Sequence, residues 1–277
     1  MDISLKVSSL KADEVGFNIV AKGLKKDFVG RNGEVISAVG PLDYEIKAGE
    51  FFSLVGPSGC GKSTFLRLVA GLIDPTQGEI YLGGTQVHEP SDQVGVVFQR
   101  PVLLPWRTIL ENVTMPLRIA RQLDERSMNR ARSLLDTVGL SKFVSNYPKE
   151  LSGGMQQRVS IARALIKGPS VVLMDEPFGA LDEFTRESMN EELLRIWSLE
   201  RSTILFITHS ISEAVFMSDR IGVMTSGPGR LLDIVDINLP RPRTSIERNS
   251  DEFYDYVRSV RSILDSAYGP MAGSHVE

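Results

Sequence analysis

The sequence predicts an α/β fold. A mostly parallel sheet is covered on both faces by helices, an antiparallel β flap precedes it, and a helical lobe is inserted. Three observations carry this. Short apolar runs alternate with segments of helical period along most of the chain. The runs Phe51–Val55, Val171–Met174 and Thr203–Ile207 lack polar alternation, as strands buried on both faces do. The first leads through Gly56-Pro57-Ser58-Gly59-Cys60-Gly61-Lys62-Ser63-Thr64 into the helical Phe65-Leu66-Arg67-Leu68-Val69-Ala70, a strand–glycine turn–helix order.

Taken in order, residues 1–16 show no clear period and are expected to form an arm. Asn18–Ala21, Val35–Val39 and Leu42–Ile46 read as strands, with turns at Arg31-Asn32-Gly33 and Lys47-Ala48-Gly49. They form either a flap over a ligand or a plain β-meander; pattern alone fits both. Beyond the glycine loop, Gly78–Leu82 and Val94–Phe98 read as strands joined by a turn at Gly83-Gly84. Gln99 then opens a loop in which Pro101 and Pro105 exclude a continuous helix.

Residues 109–147 turn helical. Met128, Ala131, Leu134, Leu135 and Val138 share one face, and Arg121, Arg130 and Arg132 are assigned to the solvated side. Ser152-Gly153-Gly154 opens a helix running to about Leu165, a hydroxyl and two glycines at an anion-binding end. Val171–Met174 runs into Asp175-Glu176, and Met189, Leu193, Ile196 and Trp197 form a core stripe. Thr203–Thr208 leads to His209, and a last strand is expected from Arg220 to Thr225. A final amphipathic helix carries Phe253, Val257, Val260 and Leu264, with Asn249 and Glu252 as its capping box. This divides the chain into an arm (1–16), a main domain (17–230, helical lobe about 100–155) and a C-terminal extension (231–277).

Composition narrows the function. With 42% hydrophobic and 24% charged residues the chain is an ordinary globular one, and a net charge of −4 argues against nucleic acid as a partner. The single cysteine, Cys60, leaves no internal disulfide framework and no cysteine zinc site. No apolar run approaches the ~18–20 residues that span a bilayer, and the start lacks a secretory layout. A cytosolic location follows, any membrane contact going through a partner.

The glycine loop is a P-loop, G-x-x-x-x-G-K-S, in the strand–helix context that makes it a phosphate site. Its backbone N–H groups and the following helix terminus face an anion. Lys62 would reach the β- and γ-phosphates of a nucleoside triphosphate, and the Ser63 hydroxyl would ligate Mg²⁺. Asp175 is placed to share that metal. Glu176 then remains to orient or deprotonate a water. A lone histidine at a strand end is more often structural, but His209 shares a rim with Lys62, Asp175 and Glu176 and could contact the γ-phosphate or the water.

On these residues the chain resembles the nucleotide-binding subunits of ATP-binding cassette (ABC) transporters. The family-specific segment is Leu151-Ser152-Gly153-Gly154-Met155-Gln156, lying between the P-loop and Asp175-Glu176. The resemblance covers about Phe17 to Ser226. It implies an ABC ATPase that binds ATP and Mg²⁺ as a head-to-tail homodimer. Ser152 and Gly154 of one subunit, with Gly153 between them, would touch the γ-phosphate held by Lys62 of the other. It assigns Gln99 to the metal, the water and the link to the membrane subunit, Glu176 as catalytic base and His209 as switch histidine. Ala180-Leu181-Asp182 would bring Asp182 across the interface, and Phe28 would stack on adenine. Cys60, in the loop, should react with thiol reagents and be protected by ATP.

Leu103-Leu104-Pro105-Trp106-Arg107-Thr108-Ile109-Leu110-Glu111-Asn112-Val113, with Ser226-Gly227-Pro228-Gly229-Arg230 and a short tail, resembles the nitrate/sulfonate/taurine importer subfamily. That implies two transmembrane permease subunits, an extracytoplasmic substrate-binding protein, and a peripheral place on the cytoplasmic face of the inner membrane. The rivals are a soluble ABC ATPase clamping ribosomes or DNA, a P-loop kinase and an exporter half. The first usually carries two cassettes or a long coiled coil, the second has no use for Ser152-Gly153-Gly154, and the third usually carries its own membrane span.

Overall fold

The computed structural model describes residues 16–179 and 181–268, so the expected arm lies, apart from Gly16, outside the described residues, as does Ala180. Among the described residues ten strands run in chain order: β1 (Ile19–Val29), β2 (Val35–Ile46), β3 (Phe51–Val55), β4 (Gln77–Leu82), β5 (Thr85–Gln86), β6 (Val94–Val97), β7 (Val171–Asp175), β8 (Thr203–Ile207), β9 (Arg220–Met224) and β10 (Leu231–Asp236). The α-helices are α1 (Lys62–Val69), α2 (Ile109–Ile119), α3 (Glu125–Thr137), α4 (Gly153–Leu165), α5 (Glu183–Glu200), α6 (Ile211–Met217), α7 (Ser245–Arg248) and α8 (Asp251–Tyr268).

The strands form two sheets. The larger, in the order β10-β9-β3-β8-β7-β6, is parallel except for its β9–β10 edge. The smaller, β2-β1-β4-β5, is the antiparallel flap. Side chains on a strand point alternately to opposite faces, so the apolar runs feed two cores. Phe51 and Val55 of β3, with Val172 and Met174 of β7, meet the helical lobe, α4, α5, α6 and α8. Phe52 and Leu54, with Val171 and Leu173, meet α1 and the flap. Fully burying such a side chain contributes on the order of 1.5–3 kcal/mol.

Several expectations change. Val35–Val39 and Leu42–Ile46 are one strand, because a bulge carries β2 through Gly40-Pro41 without breaking its pairing to β1. Gly83-Gly84 turns β4 into the short β5 of the flap, not into β6, which lies in the other sheet. The helical lobe is two capped helices, α2 behind a Thr108/Glu111 capping box and α3 behind Asp124/Ser127. Arg130 is only partly solvated: it donates to the carbonyls of Leu165 and Ile166 and pairs with Glu200 at 2.9 Å, closing the C-terminal end of α4. Asn249 does not cap α8. Its amide returns to the Ser245 carbonyl in the first turn of α7, while Ser250 accepts from the Phe253 N–H.

Strand β10 was not expected, and the chain beyond it is anchored by Arg243, which is 4% exposed. Its guanidinium donates to the carbonyls of Val215, Phe216, Ser218, Ile237 and Leu239. The first two are last-turn carbonyls of α6, which no helical N–H can satisfy. Burial pushes the guanidinium down to about 10, still charged at neutral pH.

Candidate active site

Register aligns the functional strand ends. Leu54 of β3 and Asp175 of β7 both stand opposite Ile207 of β8. The P-loop, the acidic pair and Thr208-His209 therefore leave the sheet at one height, at the rim where open α/β sheets bind ligands. A cleft of 350 Å³ opens there, lined by Ala38, Ser58, Gly59, Gly61, Lys62, Ser63, Thr64, Gln99, Asp175 and Glu176.

The P-loop is shaped by its glycines. Gly61 has φ 100°, and a Cβ there would sit 2.3 Å from the Ala38 carbonyl oxygen, so no other residue fits. Gly61 is also the N-cap of α1 and offers no side chain to the first-turn N–H groups. With no acidic residue in that turn, the helix end presents donors and positive potential to the cleft. Lys62, 6% exposed, folds its ammonium onto the carbonyls of Gly56 and Pro57, 2.8 Å from each.

Asp175 and Ser63 meet across the cleft floor, Ser63 Oγ donating to Asp175 Oδ1 at 2.9 Å. Burial raises the Asp175 carboxyl above its usual range, opposed by the Ser63 bond and by the charges of Arg67 and Lys62. A half-buried carboxylate beside a hydroxyl is a hard-oxygen donor pair suited to Mg²⁺. Among the described residues no three His, Cys, Asp or Glu side chains cluster as a metal cage.

Glu176 stands one residue on, with φ 44°, a left-handed conformation that costs a side-chain-bearing residue energy. Its N–H donates to the Ile207 carbonyl at 2.9 Å, tying the turn to β8. One oxygen, Oε2, accepts from Gln99 Nε2 at 3.1 Å and lies 3.4 Å from His209 Nδ1. The three residues come from different strand ends and converge on one carboxylate atom.

The remaining expected site residues do not line this cleft. Ser152 caps α4, its hydroxyl accepting the Met155 N–H, and Ser152 and Gly153 are exposed. Gly154 faces Leu181. Asp182 caps α5 by accepting from the Thr185 N–H at 3.0 Å, which holds its carboxyl below the usual range. Phe28 is 42% exposed at the flap tip beside Val29, Val35 and Ile36, with the Lys26 ammonium 5.2 Å from its ring.

Cys60 requires a correction. Its thiol is 1% exposed and packs in the flap-side core, although its backbone belongs to the loop. A maleimide is therefore expected to leave the native protein unlabelled with or without ATP and to label it in denaturant. Rapid, ATP-sensitive labelling of the native chain would restore the earlier expectation. Ala38 was missed as a cleft residue: it carries no chemistry of its own, and its place follows from the close approach of β2 to Gly61.

The loop after Gln99 is braced from below. Buried Asn112 accepts from the Leu104 N–H and donates to the carbonyls of Leu104, Arg107 and Thr108. This leaves Val102 and Trp106 62% and 68% exposed. Among the described residues no helix is long and apolar enough to cross a membrane.

The family model described as ABC transporter matches residues 39–179, from within β2 of the flap past Glu176. An uncharacterised ABC transporter ATP-binding protein of Methanocaldococcus jannaschii is 45% identical over 254 residues, covering 92% of this chain and 94% of that one. An aliphatic sulfonates import ATP-binding protein of Bacillus cereus is 42% identical over 219 residues, 79% of this chain and 85% of that one. Among solved structures, a dimeric ABC transporter cassette superposes with a TM-score of 0.70 at 34% identity, covering 79% of this chain and 99% of the other. A post-hydrolysis form of that cassette bound to ADP and Pi has the same TM-score, at 33% identity. Sequence model, relatives and superposed cassettes agree, and the chain belongs to the ABC transporter family as an ATP-binding protein.

Proposed function

We propose that this chain is the ATP-hydrolysing subunit of an ABC importer for a small oxyanion or sulfonate. The observation that carries the hydrolytic reading is the convergence of Gln99 and His209 on Glu176 Oε2, beside the Ser63–Asp175 pair. The importer reading draws on relatives named for aliphatic sulfonates import.

Phosphoryl transfer needs positioning and charge stabilisation more than covalent chemistry. Lys62 turns from its loop carbonyls to the β- and γ-phosphates, and the α1 terminus holds the remaining oxygens. Ser63 and Asp175 would hold Mg²⁺, which when bound neutralises charge developing on the phosphates. Glu176 accepts a proton from the attacking water, while Gln99 and His209 fix the carboxylate that receives it. Phe28 receives the adenine. Ser152, Gly153 and Gly154, outside the cleft, complete the site of a second copy, with Asp182 at the interface. Two ATP molecules then join a head-to-tail homodimer. The braced loop with Val102 and Trp106 receives two permease subunits on the cytoplasmic face of the membrane, and an extracytoplasmic binding protein delivers the cargo.

The test is labelled uptake of taurine, an alkanesulfonate and nitrate in a strain lacking this chain. Loss of uptake of one compound, restored by the natural chain but not by Glu176→Gln, is expected. Unchanged uptake of all three would overturn the cargo class.

A further inference from the structure

A buried carboxylate that the reaction above does not use lies directly beneath His209. Glu213, in the first turn of α6, is 5% exposed, and its Oε1 has no hydrogen-bond partner among the described residues. Burying an acid with one oxygen left unpaired is costly. Its other oxygen, Oε2, accepts the hydroxyl of Thr208. Thr208 Oγ1 in turn accepts the Ser210 N–H at 3.1 Å, and Ser210 Oγ accepts the Glu213 N–H at 3.3 Å. These three bonds form a closed ring from Thr208 to Ser210 to Glu213 and back. His209 is the residue between the two ring members at positions 208 and 210. Its own side chain is 58% exposed and faces Glu176 at 3.4 Å.

We propose that Glu213 is a positioning residue for ATP hydrolysis, holding the backbone on both sides of His209 so that the imidazole meets Glu176. The inference rests on the hydrolytic role of His209 proposed above. Burial pushes the Glu213 carboxyl up, and the Thr208 bond and the nearby Arg186, His209 and Arg248 oppose it. Arg186 donates to the Leu181 carbonyl at 2.8 Å, next to Asp182, and Arg248 of α7 pairs with Glu187 at 3.2 Å. The carboxylate therefore sits where α5, α6 and the C-terminal extension meet, behind the turn that carries His209.

The test is a set of single-turnover ATPase measurements on the full chain, with ATP affinity measured separately. Small misplacements of a catalytic group can cost up to about 10²-fold, so Glu213→Ala and Thr208→Val are each expected to slow turnover about 10-fold or more. ATP affinity should stay within about two-fold, because no phosphate contact is touched. Glu213→Gln keeps an oxygen for the Thr208 hydroxyl and is expected to recover most of the rate; it also serves where Glu213→Ala fails to fold. The deciding comparison is His209→Ala alone against His209→Ala with Thr208→Val. If Glu213 and Thr208 act through His209, the second change costs little more. The same fold-loss in both backgrounds, or weakened ATP affinity at unchanged turnover, overturns the proposal. A His209→Ala variant with full turnover would instead sink the role of His209 itself.

Discussion

Glu176→Gln is expected to bind ATP about as well as the natural chain and to lose turnover by roughly 10²–10⁴-fold, the usual contribution of a general base. The amide matches the carboxylate in shape, and its oxygen can still accept from Gln99 Nε2, which approaches Glu176 at 3.1 Å. What it cannot do is take the proton from water. The variant should therefore accumulate as an ATP-bound species. Size-exclusion chromatography with ATP should show a persistent dimer, since in the proposed assembly the interface ATP is not consumed. Single-turnover hydrolysis at the natural rate would remove Glu176 from the role of base and leave the convergence of Gln99 and His209 without a purpose.

Lys62→Ala is expected to weaken ATP binding itself by about 10–100-fold, from the 1.5–3 kcal/mol of a hydrogen bond to a charged group. The loss is a difference, not the full strength of an ammonium–phosphate contact. In the unliganded protein Lys62 already satisfies its charge on the Gly56 and Pro57 carbonyls, and those bonds must be surrendered when phosphate arrives. Lys62→Met keeps the buried stem without the charge and separates the two contributions. Calorimetric titration with ATP reads both variants. Unchanged affinity in Lys62→Met would show that the loop N–H groups and the α1 terminus hold the phosphates without help.

Much of this site was legible because each part is encoded locally. The glycine spacing of the P-loop is a backbone requirement, as the clash awaiting any Cβ at Gly61 demonstrates. Ser152 announced a helix start and caps α4 by the expected bond. The unbroken apolar runs of β3, β7 and β8 are fixed by burial on both faces, and that placed Asp175 and His209 on one rim. What escaped depended on contacts far apart in sequence. Strand β10 is an edge strand with an exposed, weakly alternating sequence, so its pairing with β9 carried no periodic signal. Arg243 sits in a proline-bearing segment that reads as linker, and its carbonyl partners come from α6 and the chain leading to α7. Arg130 looked solvated because a helical wheel cannot see the end of α4 beneath it. Cys60 was read as reactive from its place in the loop, yet the loop turns its thiol inward. Glu213 was passed over because an acid in the first turn of a helix is ordinary; its burial shows it is not.

The left-handed backbone of Glu176 has a practical consequence for anyone who breeds this protein. At φ 44° a side-chain-bearing residue is strained by about 1–2 kcal/mol, and glycine is not. Heat tolerance and hydrolysis therefore pull this codon in opposite directions. A screen rewarding survival at high temperature alone will enrich glycine here and deliver a hardy, idle protein. Directed evolution of this chain has to score turnover in the same round as thermal survival.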